Sequence, residues 1–309
     1  RGLEWQRALG LLAAARAEGL QVDAVGCNAA TSACGKAGRW RWASALLQEA
    51  GQDAIESDTI THNALISACE KGLQWERALG QLRLLRLALL RPDEVTYNAG
   101  IIACERGKQG DKVLALLEEM RRARVARDAV TWNAAMSACA KSEQWRQVLE
   151  MAAQMRRQNL EADVVTFGVV LAACERGRQW RLALEGLRRM RQDAVPASLV
   201  ACNTAVGACE KCARWKGAVG CLQEIRRLQL EVDRIACNAA ISACGKSQQW
   251  VMALRCLGEM LRAGPGPNVI TFQAAVAACS RGPQRARALG PLGLLQGFCT
   301  LALRGSAGA

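Results

Sequence analysis

A cysteine returns every 35 residues, at Cys34, Cys69, Cys104, Cys139, Cys174, Cys209, Cys244 and Cys279. Asparagine keeps the same phase at Asn28, Asn63, Asn98, Asn133, Asn203 and Asn238, with Gly168 and Gln273 in the two remaining slots. Tryptophan does likewise at Trp5, Trp40, Trp75, Trp145, Trp180, Trp215 and Trp250, with Gly110 and Arg285 as exceptions. A fixed period of roughly 20–50 residues marks a solenoid or array. In such a body each unit contacts only its neighbours. The period therefore overrides the two domains that 309 residues alone suggest.

One unit, 59–93, shows the local logic. Ala64, Leu65, Ala68 and Cys69 share one helix face, which predicts a first helix from about Thr61 to Lys71. Gly72 is expected to close it, as glycine often closes helices. Trp75, Ala78, Leu79, Leu82 and Leu85 or Arg86 predict the inner stripe of a second helix from about Gln74 to Leu87. Turn residues Arg91-Pro92-Asp93 lead to the next unit. An alanine fills the tenth slot of all eight units, from Ala33 to Ala278, where helices packing about 8–10 Å apart leave little room. The Trp at the start of the second helix is expected to plug the seam between neighbours. The chain is thus read as all-α: half a unit at 1–23, then seven units at 24–58, 59–93, 94–128, 129–163, 164–198, 199–233 and 234–268. A degenerate eighth follows at 269–303, and a tail at 304–309. The eighth puts Arg285 in the Trp slot and Pro291 inside its second helix, where proline costs about 3 kcal/mol. Gly290, Gly293 and Gly297 weaken it further, and after about Leu289 it is expected to fray. The chain opens in mid-unit, so we expect it to be a piece of a longer protein.

Four repeated positions carry functional candidates, each with a structural alternative. The fifth-position asparagines fall in the first helical turn, where they can cap the helix or present an amide, both donor and acceptor, to a ligand. The last position holds Asp58, Asp93, Asp128, Asp163, Ser198, Asp233 and Asn268, all of which can cap the next helix. The second position is aliphatic and β-branched throughout: Val25, Ile60, Val95, Val130, Val165, Val200, Ile235 and Ile270, residues suited to a core or to a flat apolar ligand. The thirteenth is always basic: Lys36, Lys71, Arg106, Lys141, Arg176, Lys211, Lys246 and Arg281. Cations there complement a helix C-terminus, and they also suit phosphates. The net charge of +13 favours a polyanionic partner.

The 35-residue unit reading V-T-Y/W-N-A-x-x-S-A-C-E-K-G-x-Q-W-x-x-A-L resembles the pentatricopeptide repeat family. Val95-Thr96-Tyr97-Asn98-Ala99 and Val130-Thr131-Trp132-Asn133-Ala134 carry the likeness most clearly. It extends over nearly the whole chain, without the one-residue drift that a 34-residue tetratricopeptide unit would accumulate. The resemblance implies a right-handed α-solenoid, or superhelix, of paired antiparallel helices that binds single-stranded RNA, one base per unit. By the family's rule the fifth and last residues select the base. The pairs are Asn28 with Asp58, Asn63 with Asp93, Asn98 with Asp128, Asn133 with Asp163, Asn203 with Asp233 and Asn238 with Asn268. An Asn–Asp pair implies uracil and Asn–Asn either pyrimidine, so the target reads U-U-U-U-any-U-pyrimidine. Gly168 with Ser198, and Gln273 with Leu303, depart from the pattern. The family also implies that the second-position side chains sandwich bases and that the basic residues touch phosphate. Eight such contacts would give a salt slope of at most about −5 to −6.

Other chemistry finds little support. The count of fifteen cysteines is odd, and eight lie on an apolar helix face, where thiols behave as small hydrophobes in a reducing compartment rather than as a disulfide framework. His62 is the single histidine, in a slot filled elsewhere by Tyr97, Trp132, Phe167 or Cys202, and reads as packing. Cys209 and Cys212 form a lone CxxC with no second ligand pair, so no metal or other cofactor is expected. No apolar run reaches the ~20 residues of a membrane span; Arg83 and Arg86 interrupt the longest, Leu82 to Leu90. No phosphate loop, deaminase signature or aspartate cluster is present, so we expect neither catalysis nor a small-molecule substrate. No targeting segment is visible; a chloroplast or mitochondrial role in RNA processing, stabilisation or translation is implied by the family alone. The rival reading is a tetratricopeptide-like scaffold whose basic stripe faces an acidic protein. It gives no reason for the fifth and last positions to stay in phase.

Overall fold

The structure is a computed structural model and describes residues 4–18, 23–52, 58–263 and 265–280. The described residues form sixteen helices and no strand. The chain divides into two units, Arg1–Ala162 and Asp163–Ala309.

The first unit contains α1 (Glu4–Ala17), α2 (Ala24–Lys36), α3 (Trp40–Gln52), α4 (Thr59–Lys71), α5 (Trp75–Leu87), α6 (Glu94–Arg106), α7 (Gly110–Arg122), α8 (Ala129–Lys141) and α9 (Trp145–Arg157). The first helices of its modules, α2, α4, α6 and α8, pack in a row, each on the next. Each second helix lies against its own first helix: α3 on α2, α5 on α4, α7 on α6 and α9 on α8. Of these, α3, α5 and α7 also touch the first helix of the following module. The second unit repeats the plan with α10 (Val164–Arg176), α11 (Trp180–Gln192), α12 (Leu199–Lys211), α13 (Trp215–Arg227), α14 (Arg234–Lys246), α15 (Trp250–Ala263) and α16 (Val269–Ser280). Each unit is an α-solenoid of helical hairpins. Compared with the sequence expectation for 59–93, the first helix starts two residues earlier, at Thr59, and the second one residue later, at Trp75.

The core follows the repeated small residues. All eight phased cysteines are buried, and so is the tenth-slot alanine in every module but the first, where Ala33 is half-buried. Burial pushes the Cys69, Cys104 and Cys174 thiols up to about 11 and Cys139, helped by the Asp111 charge, to about 12. These are inert packing groups. Both helices supply bulk: Trp132, Tyr97, Leu65 and Ile66 are buried on first helices, and Leu82 and Leu85 on α5 and Val113, Leu116, Leu117 and Met120 on α7 are buried on second helices. Each fully buried leucine contributes about 1.5–3 kcal/mol. His62 is buried too, and burial holds its imidazole below the usual value. Ion pairs from Arg86 to Glu119 (2.9 Å), Arg191 to Glu224 (3.0 Å) and Arg226 to Glu259 (2.8 Å) link second helices of consecutive modules.

Gly72 closes α4 as expected, though with φ −80°, a conformation any residue adopts, and the left-handed residue is Leu73 at φ 57°. At this junction and the next, the bare backbone of glycine has a further use. A Cβ on Gly72 would stand 2.5 Å from Trp40 Cδ1 of the preceding module, and one on Gly107 would stand 2.4 Å from Trp75 Cδ1. The Trp therefore plugs the seam as expected, and it does so against bare backbone. Where Gly110 replaces Trp, Ser142 replaces the glycine, accepts from Gly110 N at 3.0 Å and donates to Lys108 O at 2.8 Å. Arg77 lies over the Trp40 ring at 4.1 Å, so that indole is committed to protein contacts. The calls on Arg281, Arg285, Leu289, Gly290, Pro291, Gly293, Gly297, Leu303 and the tail lie outside the described residues.

Both turns of a module pass through a left-handed residue that is usually not glycine. Leu89, at φ 57°, is 91% exposed. Leu89→Gly should stabilise the protein by up to about 1 kcal/mol, because it relieves the left-handed penalty without losing packing. Gly107→Ala should destabilise by about 1–3 kcal/mol by overpacking the Trp75 seam. Thermal denaturation of the two variants checks both signs.

Candidate nucleic-acid interface

The last residue of each module is the N-cap of the next first helix. Asp58 Oδ1 accepts from Thr61 N at 2.8 Å, Asp93 Oδ1 from Thr96 N at 2.8 Å, and Asp128 Oδ1 from Thr131 N at 2.7 Å. In the second unit Asp163 caps at Thr166 N (2.7 Å), Ser198 at Ala201 N (3.2 Å), Asp233 at Ala236 N (2.8 Å) and Asn268 at Thr271 N (3.0 Å). The capping alternative is correct for this position.

The cap does not use up the carboxylate. Asn28 Nδ2 donates to Asp58 Oδ2 at 3.1 Å, Asn63 Nδ2 reaches both Asp93 oxygens at 3.3 and 3.4 Å, and Asn203 Nδ2 donates to Asp233 Oδ2 at 2.6 Å. The two sequence-predicted positions of one module therefore meet at its junction with the next, although 30 residues separate them. The fifth-position asparagine does not cap its own helix. It sits half-buried, and at Asn28, Asn63 and Asn203 its amide is held against the carboxylate that ends its own module. Asn98, Asn133 and Asn238 are likewise half-buried on α6, α8 and α14. Gly168 leaves its slot open, and nothing lies within 4 Å of a Cβ placed there. Gln273 is exposed on α16.

The second-position residues are not core. Val25, Ile60, Val95, Val130, Val165, Val200, Ile235 and Ile270 are between 55% and 73% exposed. On a helix, residues three apart share a face, so six of them stand beside the asparagine of their own module, and Val165 and Ile270 stand beside Gly168 and Gln273. The next module's Val or Ile follows the capping residue by two positions. Each Asn–carboxylate pair is thus bracketed by two exposed, branched, apolar side chains.

The thirteenth-position cations are exposed but largely engaged. Arg106 pairs with Glu70 at 3.1 Å, Lys141 with Glu105 at 2.9 Å, Lys211 with Glu175 at 2.9 Å and Lys246 with Glu210 at 3.0 Å. Each glutamate is the twelfth residue of the preceding module. Where Gly35 takes that slot, Lys71 donates to the carbonyls of Gly35 and Lys36 at 3.2 and 3.4 Å. Lys36 and Arg176 are exposed at their helix C-termini. This ladder of glutamates was missed from sequence. Its only signal was the phased Glu before the basic residue. Among the described residues no group of three or more metal-ligating side chains forms, and no helix is long and apolar enough to cross a membrane.

Burial raises the Asp58, Asp93 and Asp128 carboxyls, but hydrogen bonds from the following threonine and the preceding asparagine outweigh it and hold all three below the usual carboxylate value. A depressed folded-state value stabilises the fold above the unfolded value of about 4, and that contribution is lost as pH falls through the folded value. Replacing all three by asparagine keeps the caps and removes the titration. The fall in melting temperature between pH 7 and pH 3 should then be smaller than in the parent; an equal fall would contradict the assignment.

Comparison with known proteins agrees with this geometry. The sequence model of the "Pentatricopeptide repeat domain" matches residues 10–71, 88–142 and 221–281, more than half the chain, and that of the "PPR repeat family" matches 127–176. No curated protein gives a significant match. The fold is similar to that of the pentatricopeptide repeat protein PPR10 from maize, with TM-score 0.70 and 24% identity over 94% of this chain and 41% of that one. It is also similar to PPR10 in complex with an 18-nt psaJ RNA element, with TM-score 0.57 and 23% identity over 93% of this chain and 47% of that one. The PPR domain of Arabidopsis thaliana protein-only RNase P 1, in complex with tRNA, gives TM-score 0.50 and 15% identity over 55% of this chain and 90% of that domain. The chain thus spans less than half the length of the PPR10 structures. With its 35-residue hairpins, its phased signature and these matches, the chain belongs to the pentatricopeptide repeat family.

Proposed function

We propose that this chain binds single-stranded RNA selectively, one base per module, with a preference for uridine-rich sequence. The observation that carries the reading is the repeated exposure of branched apolar side chains on either side of an Asn–Asp pair. A base has two flat apolar faces and a polar edge, and each site offers two apolar walls and an amide between them. A protein scaffold has no use for that combination at every module. PPR10 has been crystallised with an RNA element, which supports the same ligand class here. By the family's rule the target reads U-U-U-U-any-U-pyrimidine, with the open slot at Gly168 as the unread base. Binding without chemistry would act by covering the strand or remodelling its structure, in RNA processing, stabilisation or translation. The compartment proposed by family likeness is an organelle.

The phosphate role of the thirteenth-position cations is proposed in a reduced form. Four are already paired with glutamate, so fewer than eight exchange freely with phosphate, and the salt slope should be shallower than about −5. An exposed pair is worth only about 0.2–1 kcal/mol, so a phosphate can still displace the glutamate.

Gel shifts with a U-rich RNA, a scrambled RNA and the matching DNA test the reading. The U-rich RNA should bind tightest; equal affinity for all three would reduce the interaction to charge. Asn98→Thr should move the preference at the third base from U towards G by the family's rule, read by competition between single-base RNA variants. An unmoved preference would remove the assignment of that position.

A further inference from the structure

Each Asn–carboxylate pair just described is built around a third group, which varies along the chain. Thr61, Thr96, Thr131 and Thr271 occupy the third position of their modules and are at most 3% exposed. Their hydroxyls reach the Oδ1 of the preceding module's asparagine: Thr96 to Asn63 at 2.5 Å, Thr131 to Asn98 at 2.6 Å, Thr271 to Asn238 at 2.6 Å, and Thr61 to Asn28 as well. Of the junctions that carry an asparagine, one lacks the threonine. Asn203 Nδ2 donates to Asp233 Oδ2, but Ala236 stands where the threonine belongs, and Asn203 Oδ1 is buried with no hydrogen-bond partner.

We propose that the third-position threonine is a positioning residue for base choice, holding the asparagine amide in one of its two orientations. The proposal rests on the RNA reading above and deepens it. An amide carries a donor at one end and an acceptor at the other. Uracil and cytosine differ at the matching place on their edges, uracil offering an acceptor at O4 and cytosine a donor at N4. An amide free to turn over about its Cβ–Cγ bond serves both bases; an amide that is held serves one. Two tethers hold Asn98. Asp128, an acceptor only, draws the Nδ2 end, and the Thr131 hydroxyl, whose one proton is shared between Asn98 Oδ1 at 2.6 Å and Asp128 Oδ1 at 2.7 Å, holds the Oδ1 end. Asn203 has the first tether and not the second, so turning it over sacrifices only its bond to Asp233, whereas turning Asn98 over sacrifices two. Its module therefore separates uracil from cytosine less sharply than the Asn98 module does.

The test is competition binding of the full chain with RNAs that carry U or C at one place, opposite Asn63, Asn98 or Asn203. In the parent protein the U-over-C ratio opposite Asn98 should exceed that opposite Asn203 by about fivefold to tenfold, the worth of one hydrogen bond. Thr131→Val keeps the shape and the backbone cap. It should lower the ratio opposite Asn98 by a similar factor and leave the ratio opposite Asn63 unchanged, which a general loss of structure would not do. Ala236→Thr should raise the ratio opposite Asn203. If Thr131→Val fails to fold, Ala236→Thr alone decides. Discrimination in the parent that survives both substitutions overturns the proposal. A parent that binds all the RNAs equally overturns the RNA reading itself, and this proposal with it.

Discussion

A carboxylate at the end of each module does two jobs at once, and the candidate interface exists because of that. One oxygen of Asp58 caps the next helix through Thr61 N, and the other takes the Asn28 amide. A helix N-terminus has unsatisfied N–H groups that need an acceptor, and its dipole favours a negative one. The same acceptor fixes the amide of the preceding module. The register of one helical hairpin on the next thus also sets the pose of a potential base-reading group. An array built this way needs no separate binding site to fold; the junctions between hairpins are the candidate sites.

The packing of the junctions explains the choice of small residues. Phased Ala and Cys in the first helices let neighbouring helices approach closely, and bulk comes from other first-helix residues such as Tyr97, Trp132 and Ile66 and from Leu, Met and Val on the second helices. The Trp edge then lies on the backbone of Gly72 or Gly107 in the next module. Where the Trp is lost at Gly110, Ser142 fills part of the space and adds hydrogen bonds. Ion pairs between consecutive first helices, such as Glu105 to Lys141, and between consecutive second helices, such as Arg86 to Glu119, reinforce the stacking. Individually such exposed pairs are weak. Their common phase makes them useful for setting register, and it also means that much of the basic character at the thirteenth position is spoken for before any ligand arrives.

Much of this was legible in the sequence, because a period repeated eight times amplifies signals that are weak in a single copy. The helical hairpin, the buried cysteines and the inert His62 followed from phase, and the pairing of Asn with the last residue was implied by the family resemblance. Three features did not, each for a physical reason. The Val and Ile at the second position look like core in a one-dimensional pattern, and their exposure emerges only once the helix face is fixed by its neighbours. Gly72 closes its helix as the sequence suggested, but its close approach to Trp40 in another module left no local signal. The threonine at the third position sat inside the quoted signature, but its contact to an asparagine 33 residues earlier has no local trace. What escapes a repeat-by-repeat reading is the contact between repeats, and that is where the candidate chemistry lies.

The central claim is that ligand is read module by module along the junctions rather than attracted by charge as a whole. Affinity for oligouridylates of increasing length, measured at one fixed salt concentration, tests it most directly. The account predicts a gain with each added nucleotide up to about the seven whole modules of the chain, then a plateau, and no comparable gain for oligodeoxythymidylates. Affinity that keeps rising with phosphate number beyond that length, and equally for RNA and DNA, would contradict it.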